Sequence, residues 1–264
     1  MAIEVFNRKE NKYLITDDVF ARFQSELSEY MTTDAHNTDG KPYQICNIYY
    51  DTDDNYLIRQ SLSKPLYKEK LRLRSYGVPD RNGRVFIEIK KKFRGKVNKR
   101  RSAVSLESAY DFLESGLISE IQPHMNEQVL KETAIMLSQY SLAPKVYISY
   151  DRQAYFSKED SGLRLSVDFN IRTRRTDLRL ESGIYGDAIL KDGQKIMEIK
   201  TTGSFPLWLV DLLSKHQIYP VSFSKYGTEY RFHVMKLHQK REENHYICST
   251  TYLAESAKRL ALAY

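Results

Sequence analysis

Between Lys68 and Arg101 the chain sets fourteen Lys or Arg against three acidic residues, and most of the cations fall at every second position of β-patterned sequence. In Lys68-Glu69-Lys70-Leu71-Arg72-Leu73-Arg74, Leu71 and Leu73 take one side of an extended strand and the cations the other, because successive side chains alternate. Guanidinium and ammonium groups at this spacing grip phosphate oxygens, Arg in bidentate fashion. At about 4 Å such a pair is worth about 4 kcal/mol at an effective dielectric near ~20. The ligand class indicated is a linear oligophosphate.

The same design recurs along the chain. Arg8, Glu10 and Lys12 share a face, as do Arg84, Phe86, Glu88, Lys90 and Lys92. Arg164, Ser166 and Asp168 oppose Leu163, Leu165 and Val167, while Glu198 and Lys200 oppose Met197 and Ile199. A Glu-x-Lys spacing appears three times, at Glu10-Asn11-Lys12, Glu88-Ile89-Lys90 and Glu198-Ile199-Lys200. These faces could simply meet water. Adjacent like charges repel, however, and a solvent face has little need of Arg at successive i, i+2 positions. Turned inward, the faces would line a tunnel with cations and a few carboxylates, which would hold Mg²⁺ or Mn²⁺, hard ions that bridge phosphate groups. Phosphoryl transfer asks mainly for positioning and charge neutralisation.

The net charge of +7 is a local device, since outside 68–101 there remain 27 basic and 31 acidic residues. Such a distribution favours a defined anionic ligand over a diffuse nucleic-acid coat. Cys46 and Cys248 make neither a CxxC pair nor a disulfide framework, which points to a reducing compartment. Residues 1–12 show no signal-peptide run, and no stretch approaches the roughly twenty apolar residues of a membrane span. The expected location is cytoplasmic. Nucleotide-loop, dinucleotide-fold, zinc-protease and serine-hydrolase motifs are all missing, and the six His show no ligand spacing.

Strand patterns run over 4–15, 43–51, 66–76, 84–93, 98–105, 145–156, 163–172, 186–190, 194–201 and 229–235. Turn signals at Asp39-Gly40, Asn82-Gly83 and Asp192-Gly193 favour hairpins. Helical spacing appears at Val19, Phe20, Phe23 and Leu27 behind capping Asp17 and Asp18, at 106–113, at 127–140, at 206–216 with Ser204 as cap, and at 253–262. These elements predict an α+β fold, an antiparallel β-barrel, closed or nearly closed, forming a charged tunnel with several flanking helices. A single domain over 1–264 is expected, its core at about 5–231 and its linker and C-terminal helix at 236–264. Lys91, Lys92, Arg94 and Lys96 read as solubilising a hairpin, Trp208 as helix packing, and Asp51 as a turn or cap residue rather than a metal ligand.

Eight segments in series resemble the VTC domain, the catalytic domain of vacuolar transporter chaperone polyphosphate polymerases within the triphosphate tunnel metalloenzyme (CYTH-like) superfamily. They are Arg8-x-Glu10-x-Lys12-Tyr13, Asn47-x-Tyr49-Tyr50-Asp51-Thr52, Arg72-Leu73-Arg74-Ser75-Tyr76-Gly77, Phe86-Ile87-Glu88-Ile89-Lys90, Ser149-Tyr150-Asp151-Arg152-x-Ala154-Tyr155, Leu163-Arg164-Leu165-Ser166, Met197-Glu198-Ile199-Lys200 and Phe223-Ser224-Lys225-Tyr226-Gly227. The resemblance covers about 5–231 and implies that ATP passes its terminal phosphoryl group to a growing polyphosphate chain. Carried over by position, Lys12, Arg72, Arg74, Lys90, Arg152, Arg164, Lys200 and Lys225 would be catalytic. Arg8, Lys99, Tyr150 and Ser224, with Arg59 on looser spacing, would contact phosphate. Glu198 would hold Mn²⁺ or Mg²⁺, with Glu10 and Glu88 as further candidates.

Three departures stand out. Arg8 replaces the first Glu of the superfamily's opening Glu-x-Glu-x-Lys, which suits the polymerase branch. Ser222 stands where relatives often have Lys. The phosphate-sensing and membrane domains of eukaryotic members are not found here, although a membrane-associated partner remains compatible with the resemblance. The end of a polyphosphate chain is already an anionic nucleophile, so the reaction needs no activating base. A tunnel triphosphatase or nucleotide hydrolase is the enzymatic alternative. A non-catalytic polyphosphate- or nucleic-acid-binding module is the other, since Tyr76 and Phe86 could stack bases. Nucleic acid is not expected, because stacking has no need of carboxylates on the same faces.

Overall fold

Period-two patterning becomes antiparallel sheet throughout the computed structural model, which describes residues 9–37, 40–118 and 120–239. The chain begins with β1 (Lys9–Thr16), α1 (Asp17–Leu27), β2 (Met31–Thr33), β3 (Tyr43–Asp51) and α2 (Tyr56–Leu62). It continues through β4 (Tyr67–Tyr76), β5 (Arg84–Phe93), β6 (Lys96–Ser105), α3 (Leu106–Ser115) and α4 (Glu127–Gln139). β7 (Ala143–Ser157), β8 (Arg164–Arg174), β9 (Asp187–Ala188), β10 (Gln194–Thr201), α5 (Leu207–Lys215) and β11 (Pro220–Val221) follow. A sixth helix, α6, covers 225–239.

One antiparallel sheet takes all eleven strands, in the order β11-β1-β10-β8-β7-β3-β4-β5-β6, with β2 on β7 and β9 on β8. Register shifts at Tyr49/Tyr50 and at Ser149/Asp151 interrupt the long central ladders. Such bulges increase local twist and curl a sheet. The β5–β6 hairpin turns on Arg94 (φ 45°) and Gly95 (φ 86°), two left-handed residues of the kind that a type I′ turn requires.

The convex side is apolar and covered. Cys46, Ile48, Leu71, Leu73, Val85, Ile87 and Ile89 pack against α3 and α4 through Ala109, Phe112, Leu113, Val129, Leu130 and Met136. Tyr13, Ile15, Leu165, Val167, Met197 and Ile199 pack against α1 and α5 through Phe20, Phe23, Leu27, Leu209, Leu212 and Leu213. A third cluster lies on the concave side, where Tyr49, Ile148, Tyr150, Ile171 and Ile196 meet Ile58 of α2 and Tyr226 of α6.

Several expectations change. The sheet path ends at β11 and β6, so no backbone ladder closes a barrel among the described residues. Residues 229–235, read as a strand from their β-formers, lie in α6. The buried positions Tyr226 and Glu229 have helical spacing, and Ser224 Oγ accepts from Gly227 N at 3.2 Å at the helix start. Thr16, not Asp17 or Asp18, caps α1, and Pro206 occupies the N-cap of α5 without help from Ser204. Helix α2 and the short β2 and β11 were not anticipated. α6 continues through Lys236, where a solvated connection was expected, while the tail helix at 253–262 lies outside the described residues. No helix among the described residues is long and apolar enough to cross a membrane.

Candidate functional site: a charged concave face

Alternation places the polar side chains of β1, β10, β8, β7, β3, β4, β5 and β6 on the concave side, and cross-strand register decides which of them meet. In β4 and β5, Arg72 sits opposite Glu88. Glu88 is only 1% exposed, with Arg72 Nε at 2.6 Å, Lys99 Nζ at 2.8 Å and Arg74 Nε at 3.7 Å. Burial alone would raise its pKa, but Arg72, Arg74 and Lys99 outweigh that and hold the carboxyl far below the usual range. Arg74 donates to Asn47 Oδ1 at 2.8 Å and to Tyr150 Oη at 3.2 Å, and Asn47 is itself fixed on Ile148 O at 2.9 Å. Arg72 also donates to Tyr49 Oη at 3.1 Å. Burial pushes the Tyr49 phenol up, yet Arg72, Lys70 and Arg74 bring it down to about 8.

A second knot joins β7, β8 and α6. Arg152 and Asp168 are cross-strand partners and form a bidentate pair, with Nε–Oδ1 at 2.6 Å and Nη2–Oδ2 at 2.8 Å. Lys225 reaches in from the first turn of α6 to the same carboxylate and lies 4.3 Å from the centre of the Tyr150 ring. Asp168 is fully buried, and although burial opposes it, Arg152 and Lys225 hold its pKa at about 2.

The third knot spans β1 and β10. Lys12 is opposite Glu198, and Glu10 opposite Lys200. Lys12 Nζ lies 3.3 Å from Glu10 and 3.6 Å from Glu198, and donates to Phe223 O at 3.2 Å; Lys200 pairs with the other Glu198 oxygen. Across the gap in the sheet, Lys90 of β5 approaches Glu10 at 3.9 Å. Burial and Glu198 press the Glu10 pKa upward, but Lys90, Lys12 and Lys200 bring it below its ordinary value.

Lysines directly face lysines on β4, β5 and β6. Lys70 pairs in register with Lys90, and Lys90 with Lys99. Facing like charges are destabilising. Burial, followed by neighbouring cations, lowers all three, Lys70 to about 8 and Lys99 to about 7. The face therefore keeps a positive surplus after its carboxylates have found partners.

The sequence-derived set assembles for the most part. Lys12, Arg72, Arg74, Lys90, Lys99, Tyr150, Arg152, Lys200 and Lys225 share this face. Arg164, in register with Lys200, is exposed at its rim, 4.8 Å over the Phe156 ring. Arg59 does not join them: on α2 it is exposed and binds Asp54. Arg8 lies outside the described residues. The Ser224 hydroxyl caps α6. All three candidate metal carboxylates are ion-paired: Glu88 with Arg72, Arg74 and Lys99, Glu198 with Lys12 and Lys200, and Glu10 with Lys12 and Lys90. Asn47, Tyr49, Lys70 and Asp168 belong to the site but were not assigned to it; the first two lie inside a quoted motif, and Lys70 and Asp168 continue the alternations of Arg72 and Arg164. Asp51, expected to cap a turn, accepts from Thr52, Leu57 and Ile58 N and from Tyr226 Oη, at 2.8 to 3.0 Å.

No group of three His, Cys, Asp or Glu with metal-binding geometry occurs among the described residues. Glu10 and Glu198, on adjacent strands, supply two carboxylates. Carboxylate oxygens are the donor type that a hard divalent cation would take.

Known proteins resemble this chain in both sequence and fold. Vacuolar transporter chaperone complex subunit 4 of Schizosaccharomyces pombe is 27% identical over an alignment covering 69% of this chain and 30% of that protein. The chain thus spans about a third of the length of this curated relative. A Hippeastrum protein described as a candidate adenylyl cyclase with a dominant triphosphatase activity shares the fold at a TM-score of 0.50, with 18% identity, 82% of this chain and 92% of that one. A candidate adenylate cyclase from Bacillus halodurans aligns at a TM-score of 0.47, with 19% identity, 82% of this chain and 95% of that one. The VTC domain profile matches residues 7–234, and the chain belongs to the VTC-domain family.

Proposed function

We propose that the concave face works as a tunnel for linear phosphate, and that the chain is an ATP-dependent polyphosphate polymerase of the cytoplasm. The observation that carries this reading is the Lys70–Lys90–Lys99 row, in which Lys90 faces a lysine on either side and the carboxylates of Glu10 and Glu88 leave a positive surplus that a multiply charged anion would neutralise. VTC-domain membership supports it. Arg72 and Arg74, held rigid by Glu88, Asn47 and Tyr49, present fixed guanidinium donors to the phosphates of ATP. Lys12, Arg152, Lys200 and Lys225 neutralise the transferring group and the approaching end of the polyphosphate chain. Glu198 and Glu10 would hold a divalent cation, Mn²⁺ or Mg²⁺, which when bound supplies further charge neutralisation between phosphate oxygens.

The attacking phosphate oxygen carries its own negative charge, so no residue of the face has to remove a proton. Hydrolysis is the competing outcome in the same site, with water in place of the chain end. Purified protein incubated with ATP and Mn²⁺ should yield ADP and long-chain polyphosphate on a gel. ATP consumption that releases only orthophosphate would overturn the polymerase reading.

A further inference from the structure

The rim of the concave face at the Tyr76 end is aromatic rather than charged. Tyr76 of β4, Phe86 of β5 and Tyr43 of β3 continue the face residues of their strands, two positions beyond Arg74, Glu88 and Ile45. Their rings form a connected shelf: Tyr76 meets Phe86 edge-on at 5.7 Å and Tyr43 at 6.1 Å, and Arg101 lies 4.5 Å over Phe86. Tyr76 is 50% exposed although it touches two other rings. A cleft of about 490 Å³, lined by Pro42, Tyr43, Gln44, Tyr76, Gly77 and Asp151, opens beside it. That volume lies within the range of small-ligand pockets. The phosphate-gripping residues named above leave these rings unused.

The geometry points to a nucleobase subsite: the Tyr43–Tyr76–Phe86 shelf takes the purine of the donor nucleotide and thereby fixes the direction of the tunnel. This deepens the proposed oligophosphate function and rests on it. Same-face positions on a strand are about 7 Å apart. A base on Tyr76 therefore sends its phosphates over Arg74 and then Arg72, with Lys70 about 20 Å away on the same strand. The nucleoside lies at the aromatic end, and the terminal phosphate points toward the lysine row. A half-exposed Tyr76 ring with Tyr43 and Phe86 beside it suits a flat, electron-deficient heterocycle, because stacking uses the ring face.

Isothermal titration of the full chain in EDTA, where turnover is held off, separates base from phosphate by comparing ATP with inorganic tripolyphosphate. Tyr76→Ala should weaken ATP binding about tenfold and leave tripolyphosphate binding within about twofold, and Tyr76→Phe should restore the ATP affinity. Tripolyphosphate binding also reports that the variant is folded. Tyr43→Ala, on the other side of the cleft, should repeat the selective loss. Equal losses for both ligands, or an ATP affinity indifferent to both alanine variants, would overturn the shelf and leave the phosphate site standing. A wild-type chain that binds neither ligand would overturn both readings.

Discussion

Glu88→Gln tests whether the face is held together as a charged cage. The substitution keeps shape and volume but removes the negative charge that lies 2.6 Å from Arg72, 2.8 Å from Lys99 and 3.7 Å from Arg74, at a site 1% exposed. Breaking a buried ion pair on one side costs about 3–5 kcal/mol, because the abandoned charges stay buried. The Gln amide oxygen still accepts one hydrogen bond, which places the expected loss near the lower end, about 3 kcal/mol. For a chain of this size that corresponds to a melting temperature lower by about 6–12 °C. Glu132→Gln serves as control: it pairs with Arg100 at 2.5 Å and Lys91 at 3.5 Å on the convex side, its side chain 21% exposed against 1% for Glu88, and should lose clearly less, about 1 kcal/mol. Tripolyphosphate supplies anionic oxygens to the same three cations, so it should stabilise Glu88→Gln more than wild type. A tenfold affinity gain adds about 1.4 kcal/mol at a fixed excess of ligand. Thermal denaturation with and without tripolyphosphate reads both effects. A melting temperature within about 2 °C of wild type, or an equal ligand shift in the two proteins, would refute the reasoning.

Three further outcomes follow from particular contacts. Lys99 at about 7 and Lys70 at about 8 lie below the ordinary lysine value near ~10.4, so from about pH 7 upward the unfolded chain holds more protons and stability of the ligand-free protein rises with pH. Phosphate oxygens restore those protons, and titration with tripolyphosphate at pH 8 in buffers of different ionisation enthalpy should show proton uptake; release, or none, would count against the lysine row as the binding surface. Tyr226→Phe removes the donor 2.8 Å from the buried Asp51 carboxylate and should cost about 1–3 kcal/mol in urea unfolding, with weakened tripolyphosphate binding because α6 carries Lys225. Ser224→Ala should lower stability by about 1 kcal/mol as a lost helix cap, and Ser224→Asp, which caps equally well, should recover it.

The strands were legible where one side is apolar and the other charged, a contrast that period-two spacing prints directly into β4, β5 and β10. Lys12, Arg72, Arg74 and Glu198 could be placed on a common side for the same reason. Partners could not be read so directly. Asp168 was visible on the face of Arg164, yet its commitment to Arg152 depends on β7–β8 register across a bulge, which no local spacing encodes. The three cations around Glu88 and the two paired with Glu198 were likewise matters of cross-strand register. Residues 229–235 misled because Tyr, Phe and Val favour strands, whereas they continue the helix whose first turn seats Tyr226 on Tyr49, with ring centres 4.9 Å apart. Arg59 lies on α2, a helix that its short span kept from view, where it is exposed and pairs with Asp54.

Among the described residues β1 shares no amide ladder with β5 or β6, and a charge contact spans that gap, Glu10 of β1 with Lys90 of β5 at 3.9 Å. Amide ladders are indifferent to ionic strength, while a half-solvated ammonium–carboxylate contact fades as salt approaches the molar range. In brine that contact should therefore loosen before the strand ladders do, with the strands still knit together.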